Sequence, residues 1–111
     1  MRTLILAFLL STIASAQTIT HVVTLTWADT ANPAGTTYNI YRATGLCSGT
    51  PTFNKIGSAV TAKTFDDNSV SPGNWCYQVT AVFGGAESVP SNSVNPNVPA
   101  FAPTSLTFTV K

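Results

Sequence analysis

Residues 71–87 read SPGNWCYQVTAVFGGAE. Pro72 and Gly73 mark a turn. From there Trp75, Tyr77, Val79 and Ala81 alternate with Cys76, Gln78 and Thr80, the period-two pattern of a strand with one apolar face. Gly84 and Gly85 then supply a hairpin turn. Residues 87–94 form the return strand, in which Pro90 suits an edge or a bulge because it has no N–H to give to a ladder.

The same alternation recurs upstream. Val23, Leu25 and Trp27 alternate with Thr24 and Thr26, and Tyr38 and Ile40 with Asn39 and Tyr41. Residues 29–36, with Asn32, Pro33 and Gly35, read as a loop, and residues 43–51 as a second loop that carries Cys47. Residues 53–56 read as a short edge strand. Residues 62–65 read as another, closed by a corner at Asp66, Asp67 and Asn68. No segment sustains helical periodicity, and Gly, Pro, Asn and Ser punctuate at short intervals, so an all-β sandwich or barrel is expected. Its core is Val23, Leu25, Trp27, Tyr38, Ile40, Trp75, Tyr77, Val79 and Ala81.

Downstream the pattern breaks and resumes. Pro96, Pro99 and Pro103 make residues 96–103 a stiff linker. Beyond it Leu106, Phe108 and Val110 alternate with Ser105, Thr107, Thr109 and Lys111. This is a half-buried strand by pattern, at residues 104–111, outside the apparent domain.

The first residues have a different logic. Arg2, an apolar run over residues 4–10, and Ala14-Ser15-Ala16 before Gln17 have the layout of a secretory signal peptide, residues 1–16. Removing those 16 of 111 residues leaves 95, enough for one domain at residues 17–95 plus the linker and tail. The remaining charges are Arg42, Lys55, Lys63 and Lys111 against Asp29, Asp66, Asp67 and Glu87, four against four. A neutral surface gives neither nucleic acid nor an anionic membrane a basic patch to bind, and no later apolar run is long enough to span a bilayer. Export makes a disulfide the expected state of two cysteines, and Cys47 with Cys76 is the one intramolecular pairing.

Taken together these stretches resemble the fibronectin type III family, in the form attached to bacterial secreted enzymes. VVTLTW (residues 22–27) looks like that family's strand B, YNIYR (38–42) like strand C, TFDD (64–67) with SPGNWCYQVTAV (71–82) like the corner and strand F, and ESVPSNSV (87–94) like strand G. An immunoglobulin domain would instead want its tryptophan on strand C and cysteines on B and F. The resemblance implies a sandwich of two antiparallel sheets in which strands C and F are neighbours. Cys76 then points outward from strand F, and Cys47 folds across the same outer face. Closing that loop of about 30 residues stabilises by roughly 3 to 4 kcal/mol.

Two departures from the family carry information. Trp75 stands where the family has a tyrosine whose hydroxyl bonds back to the preceding corner. An indole N–H can donate one such bond but accept none. Strand A is missing, because residues 17–22 are too few for a strand and a turn before strand B. The tail PTSLTFTV, residues 103–110, resembles such a strand A, with Leu106, Phe108 and Val110 as its inward residues.

Catalytic chemistry finds little to use. His21 is the one histidine and lacks the partners of a nucleophile–base pair or a zinc site. Asp66 and Asp67 are adjacent, so on an extended chain they face opposite ways and do not share a site. No phosphate loop, dinucleotide fingerprint or G-x-S-x-G occurs, and no cofactor or metal is called for. Tyr41 and Phe53 are candidates for a sugar-stacking or adhesive face. The expectation is a secreted, extracellular, non-catalytic assembly module that polymerises head to tail by donating its C-terminal strand. The alternatives are a monomeric adhesion or carbohydrate-binding module, whose partner is another extracellular protein or a polysaccharide, and a fragment of a larger multi-domain exoprotein.

Overall fold

A computed structural model describes residues 19–111. The expected signal peptide lies outside the described residues. Among those described, regular structure is all strand: β1 His21–Thr26, β2 Thr37–Thr44, β3 Asn54–Val60, β4 Thr64–Val70, β5 Gly73–Phe83, β6 Ala86–Glu87 and β7 Asn97–Val98. They form two antiparallel sheets. One holds β1 and β4; the other runs β3-β2-β5-β6, with β7 also on β5. The fold is an all-β sandwich. Leu25 of the first sheet meets Ile40 and Tyr77 of the second at its centre, flanked by Val23, Trp27, Ile56, Val60, Phe65, Trp75 and Val79. Tyr38 is buried against Trp27, its ring edge-on with centroids 5.3 Å apart, and Ala81 is half-buried.

The pairings define two poles. His21 lies opposite Val70, and Gly73 opposite Val98, so β1 begins where β4 and β7 end. The Trp27 pole gathers the end of β1, the start of β2 and the end of β5, where Thr37 lies opposite Val82. At that pole Gly84 and Gly85 have φ of 59° and 79°, the two positive values a type I′ hairpin turn requires.

Three boundaries differ from those read in sequence. β3 runs to Val60 rather than stopping near residue 56, and two register shifts against β2 let it follow the sheet's twist. β4 continues through Asp66, Asp67 and Asn68 instead of ending in a corner there. Asp67 points into the sandwich, where Arg42 Nη1 donates to its Oδ2 at 2.8 Å and the Tyr77 hydroxyl donates to the same oxygen at 2.7 Å. A carboxylate that finds two such donors can occupy a strand interior that would otherwise reject it. Finally, the strand returning along β5 extends past Pro96. Trp75 N–H donates to Pro96 O at 3.1 Å, and β7 pairs beyond it, so the sandwich runs to Val98.

Pro90 interrupts that returning strand as expected, and serines repair the gap. Val79 N–H donates to Ser91 Oγ at 3.0 Å and Ala81 N–H to Ser88 Oγ at 2.9 Å, while both serine N–H groups donate to the carbonyls of the same two residues. The side chains replace acceptors that the proline-bent backbone cannot present.

Candidate functional site

β1 has an unpaired edge. β4 takes one side of it, and among the described residues no strand takes the other. In the facing sheet, residues 86–98 sit beyond β5, and among the described residues no strand is laid over residues 88–94. The result is an open groove between β1 and residues 88–94. Its deeper recess, about 350 Å³, is lined by Leu25, Trp27, Tyr77, Val79 and Val94 among others. A second recess of about 190 Å³ continues it toward the Trp27 pole, between Trp27, Tyr38, Ala81 and Pro90. Side chains that alternation marked as core are here the floor of a cleft, which is why Trp27 and Val79 are only half-buried.

One polar atom in this groove is unsatisfied. Trp27 Nε1 is buried and has no hydrogen-bond partner, a state that costs free energy unless something supplies an acceptor. Trp75 offers the contrast within the same core. Its Nε1 donates to Ser71 O at 2.8 Å, the corner bond its position implied, and the Arg42 guanidinium lies 4.7 Å over its ring.

The C-terminal tail is the opposite case, apolar groups without a site. Leu106 is 97 % exposed, Phe108 88 % and Val110 83 %. Among the described residues, 99–111 join no ladder, so the strand expected at residues 104–111 is not paired there. Ser105 takes a φ of 60°, a left-handed kink that a paired strand would have to straighten. One contact steers this segment: the Phe101 ring stacks on His21 with centroids 4.1 Å apart, bringing the linker across the start of β1. His21 is thus a half-buried strand-start residue.

The polar residues gather elsewhere. Burial pushes the Asp67 carboxyl up, but the bonds from Tyr77 and Arg42 and the Arg42 charge outweigh it and hold the group below its usual range. Tyr77 is pushed up in turn, by burial first and by its bond to Asp67. Asp66, its neighbour, is exposed on the other face. Near the Trp27 pole, Asn32 and Tyr38 donate to Asp29 Oδ2, each at 2.7 Å, and together with backbone bonds hold its pKa at about 2. On the outer sheet face Thr80, Tyr41 and Asn39 all donate to Glu87, which likewise titrates at about 2. Tyr41 is therefore held edgewise by a carboxylate, and Phe53 is half-buried. No group of three metal-ligating side chains occurs among the described residues.

Cys47 and Cys76 form the disulfide, with Cα atoms 5.2 Å apart. Cys76 faces outward from β5 yet is fully buried, because the Cys47 loop closes over it. The bond is compatible with an oxidising, extracellular setting. Asn95 ties the same loop to the strand that forms the far wall of the groove: its Oδ1 accepts from Cys47 N–H at 3.2 Å, and its Nδ2 donates to Gly45 O at 3.3 Å and Trp75 O at 2.7 Å. Sequence reading did not single out Asn95; nothing local marks it, since its partners lie 20 and 50 residues away.

No helix among the described residues is long and apolar enough to cross a membrane. No protein-family model matches the chain, and no curated protein matches it.

Proposed function

We propose that this chain is an exported, non-catalytic structural module of the fibronectin type III kind, which polymerises head to tail by laying residues 104–111 of one copy into the groove beside β1 of the next. The observation that carries this reading is the complementarity of two unsatisfied parts. The groove exposes core side chains along an unpaired strand edge, and the tail offers three alternating apolar side chains with nothing to cover them. An inserted strand would pair with β1 by main-chain bonds and bury Leu106, Phe108 and Val110, each worth roughly 1.5–3 kcal/mol when fully buried.

Geometry favours a second copy as the acceptor. An antiparallel partner for β1 must enter at the Trp27 pole, but the chain leaves its own sandwich at the His21 pole, after Val98. The five residues 99–103 span at most about 17–18 Å, and β1, six residues long, covers about 20 Å by itself. A copy stacked pole to pole meets the tail without that return journey. The contact is heterologous and so propagates into a filament unless it closes into a ring. A balanced charge of four against four leaves little repulsion between copies.

The test is the size of the native full-length protein by light scattering and electron microscopy. Large particles or filaments that disappear on deleting residues 104–111 are expected. A full-length protein that stays monomeric at high concentration rules donation out and favours a monomeric adhesion module. A monomer whose tail lies parallel to its own β1, entered from the His21 pole, is the third outcome, recognised by intramolecular contacts alone.

A further inference from the structure

Donation leaves open which tail residue meets which part of the groove, and the two recesses differ in size. We propose that the inserted strand takes a single register, with Phe108 in the larger recess beside Leu25 and Leu106 in the smaller one beside Trp27. This inference rests on the donation reading above.

Side-chain direction removes half the alternatives. Val23, Leu25 and Trp27 face the groove and core, while Val22, Thr24 and Thr26 face away. A one-residue slip of the tail would turn Ser105, Thr107 and Thr109 inward and leave all three apolar side chains in water. Only shifts by two remain. Opposite Trp27, Leu25 and Val23, an antiparallel tail would then place Leu106, Phe108 and Val110 in that order.

Volume decides among those shifts. With that order the bulkiest tail residue, Phe108, enters the recess of about 350 Å³ and Leu106 the recess of about 190 Å³. Sliding the tail two residues toward the Trp27 pole forces Phe108 into the smaller recess, leaves Val110 to fill the larger, and carries Leu106 beyond both. Sliding it the other way brings Phe108 to Val23 and Val110 to His21, whose ring Phe101 already covers. That arrangement presents Thr104 rather than an apolar side chain to the smaller recess. Only the middle register gives each recess an apolar side chain and the larger recess the bulkiest one.

The experiment uses full-length chains. Equal parts of protein labelled with ¹³C at leucine and phenylalanine and protein labelled with ¹⁵N at tryptophan are assembled together, and magnetisation transfer between chains is read by solid-state NMR. The Trp27 Nε1 signal is identified by its loss in Trp27→Phe, the Leu106 signals by their loss in Leu106→Val and the Phe108 signals by their loss in Phe108→Leu. Cross-chain transfer to Trp27 is expected from both Leu106 and Phe108, and more strongly from Leu106. Exchanging the two side chains (Leu106→Phe with Phe108→Leu) keeps composition and alternation, and should raise the concentration needed for assembly about tenfold or more through overpacking of the smaller recess. Assemblies in which Phe108 transfers to Trp27 more strongly than Leu106 does, or in which Leu106 transfers to it and Phe108 does not, or in which the exchanged tail assembles equally well, overturn the register while donation stands. Absence of assembly, or assemblies with no cross-chain contact between tail and β1, overturns donation and the register with it.

Discussion

The two long flanks of this sandwich are built from the same kinds of residue and end in opposite states. On the β3–β4 flank the sheets close on each other. Phe65 reaches across to Gly57 so tightly that a Cβ there would lie 2.8 Å from the Phe65 ring and 3.0 Å from Ile40 Cδ1. On the β1 flank, Leu25, Trp27 and Val79 face a recess of about 350 Å³. Composition does not separate them, since both offer aromatic and aliphatic side chains at alternating positions. The difference is one strand. β4 and β3 cover each other's inner faces, while among the described residues no strand lies above residues 88–94. The opening is thus confined to one flank of an otherwise closed core and is not loose packing in general.

Truncating a side chain on each flank should separate the two most. Phe65→Ala should cost about 3–5 kcal/mol in urea unfolding, because it opens a cavity in a closed interface. Val94→Ala, on the groove wall and already 44 % exposed, should cost about 0.5 kcal/mol or less in the lone subunit. Comparable losses would mean that the two flanks do not differ as described.

Removing the disulfide should come next in size. Cys47→Ser with Cys76→Ser is expected to lose roughly 3 to 4 kcal/mol, from a crosslink spanning 29 residues. Because Asn95 couples that loop to the groove's far wall, hydrogen exchange should rise first over residues 94–98 and leave β3 and β4 protected. Uniform loss of protection would show that the loop serves both flanks alike.

The smallest effect concerns the polar bridge between the sheets. The Asp67 pKa is held below its usual value in the fold, so its ionised form stabilises the native state. That contribution is present above the ordinary carboxylate range, near pH 4, and is lost as pH falls through the folded value. Tyr77 shifts upward, so its contribution is complete below about pH 10 and lost as pH rises beyond it. Asp67→Asn should cost about 1–3 kcal/mol at neutral pH and flatten the acid limb of a stability profile. An unchanged acid limb would assign it to the carboxylates of Asp29 and Glu87 instead.

Much of this was legible in the sequence, for physical reasons that also explain the rest. Alternation from Trp75 to Ala81 stood out because one face of β5 is core and the other is not. Gly84-Gly85 announced its turn because few other residues accept two positive φ values. The cysteine pair followed from their number. Asp67 was misread as part of a corner because its partners, Arg42 and Tyr77, lie 25 and 10 residues away, beyond what local propensity senses. β7 escaped notice because it follows a proline, yet Pro96 needs only its carbonyl to continue the pairing. The vacancy beside β1 could be read as a missing strand, but the two recesses and the orphaned indole N–H are properties of packed surfaces.

Donation in trans is tested most directly by disabling one half of the contact in each of two full-length chains. Leu106→Asp with Phe108→Asp spoils the tail, whose apolar side chains are almost fully exposed in their own subunit. Val94→Trp fills the groove from its exposed wall. Sedimentation velocity should find each variant monomeric alone and the equimolar mixture converted to pairs that grow no further, since each pair has one intact tail seated in one intact groove. A mixture that remains monomeric, or variants that assemble separately as well as the parent chain does, would contradict strand donation between copies.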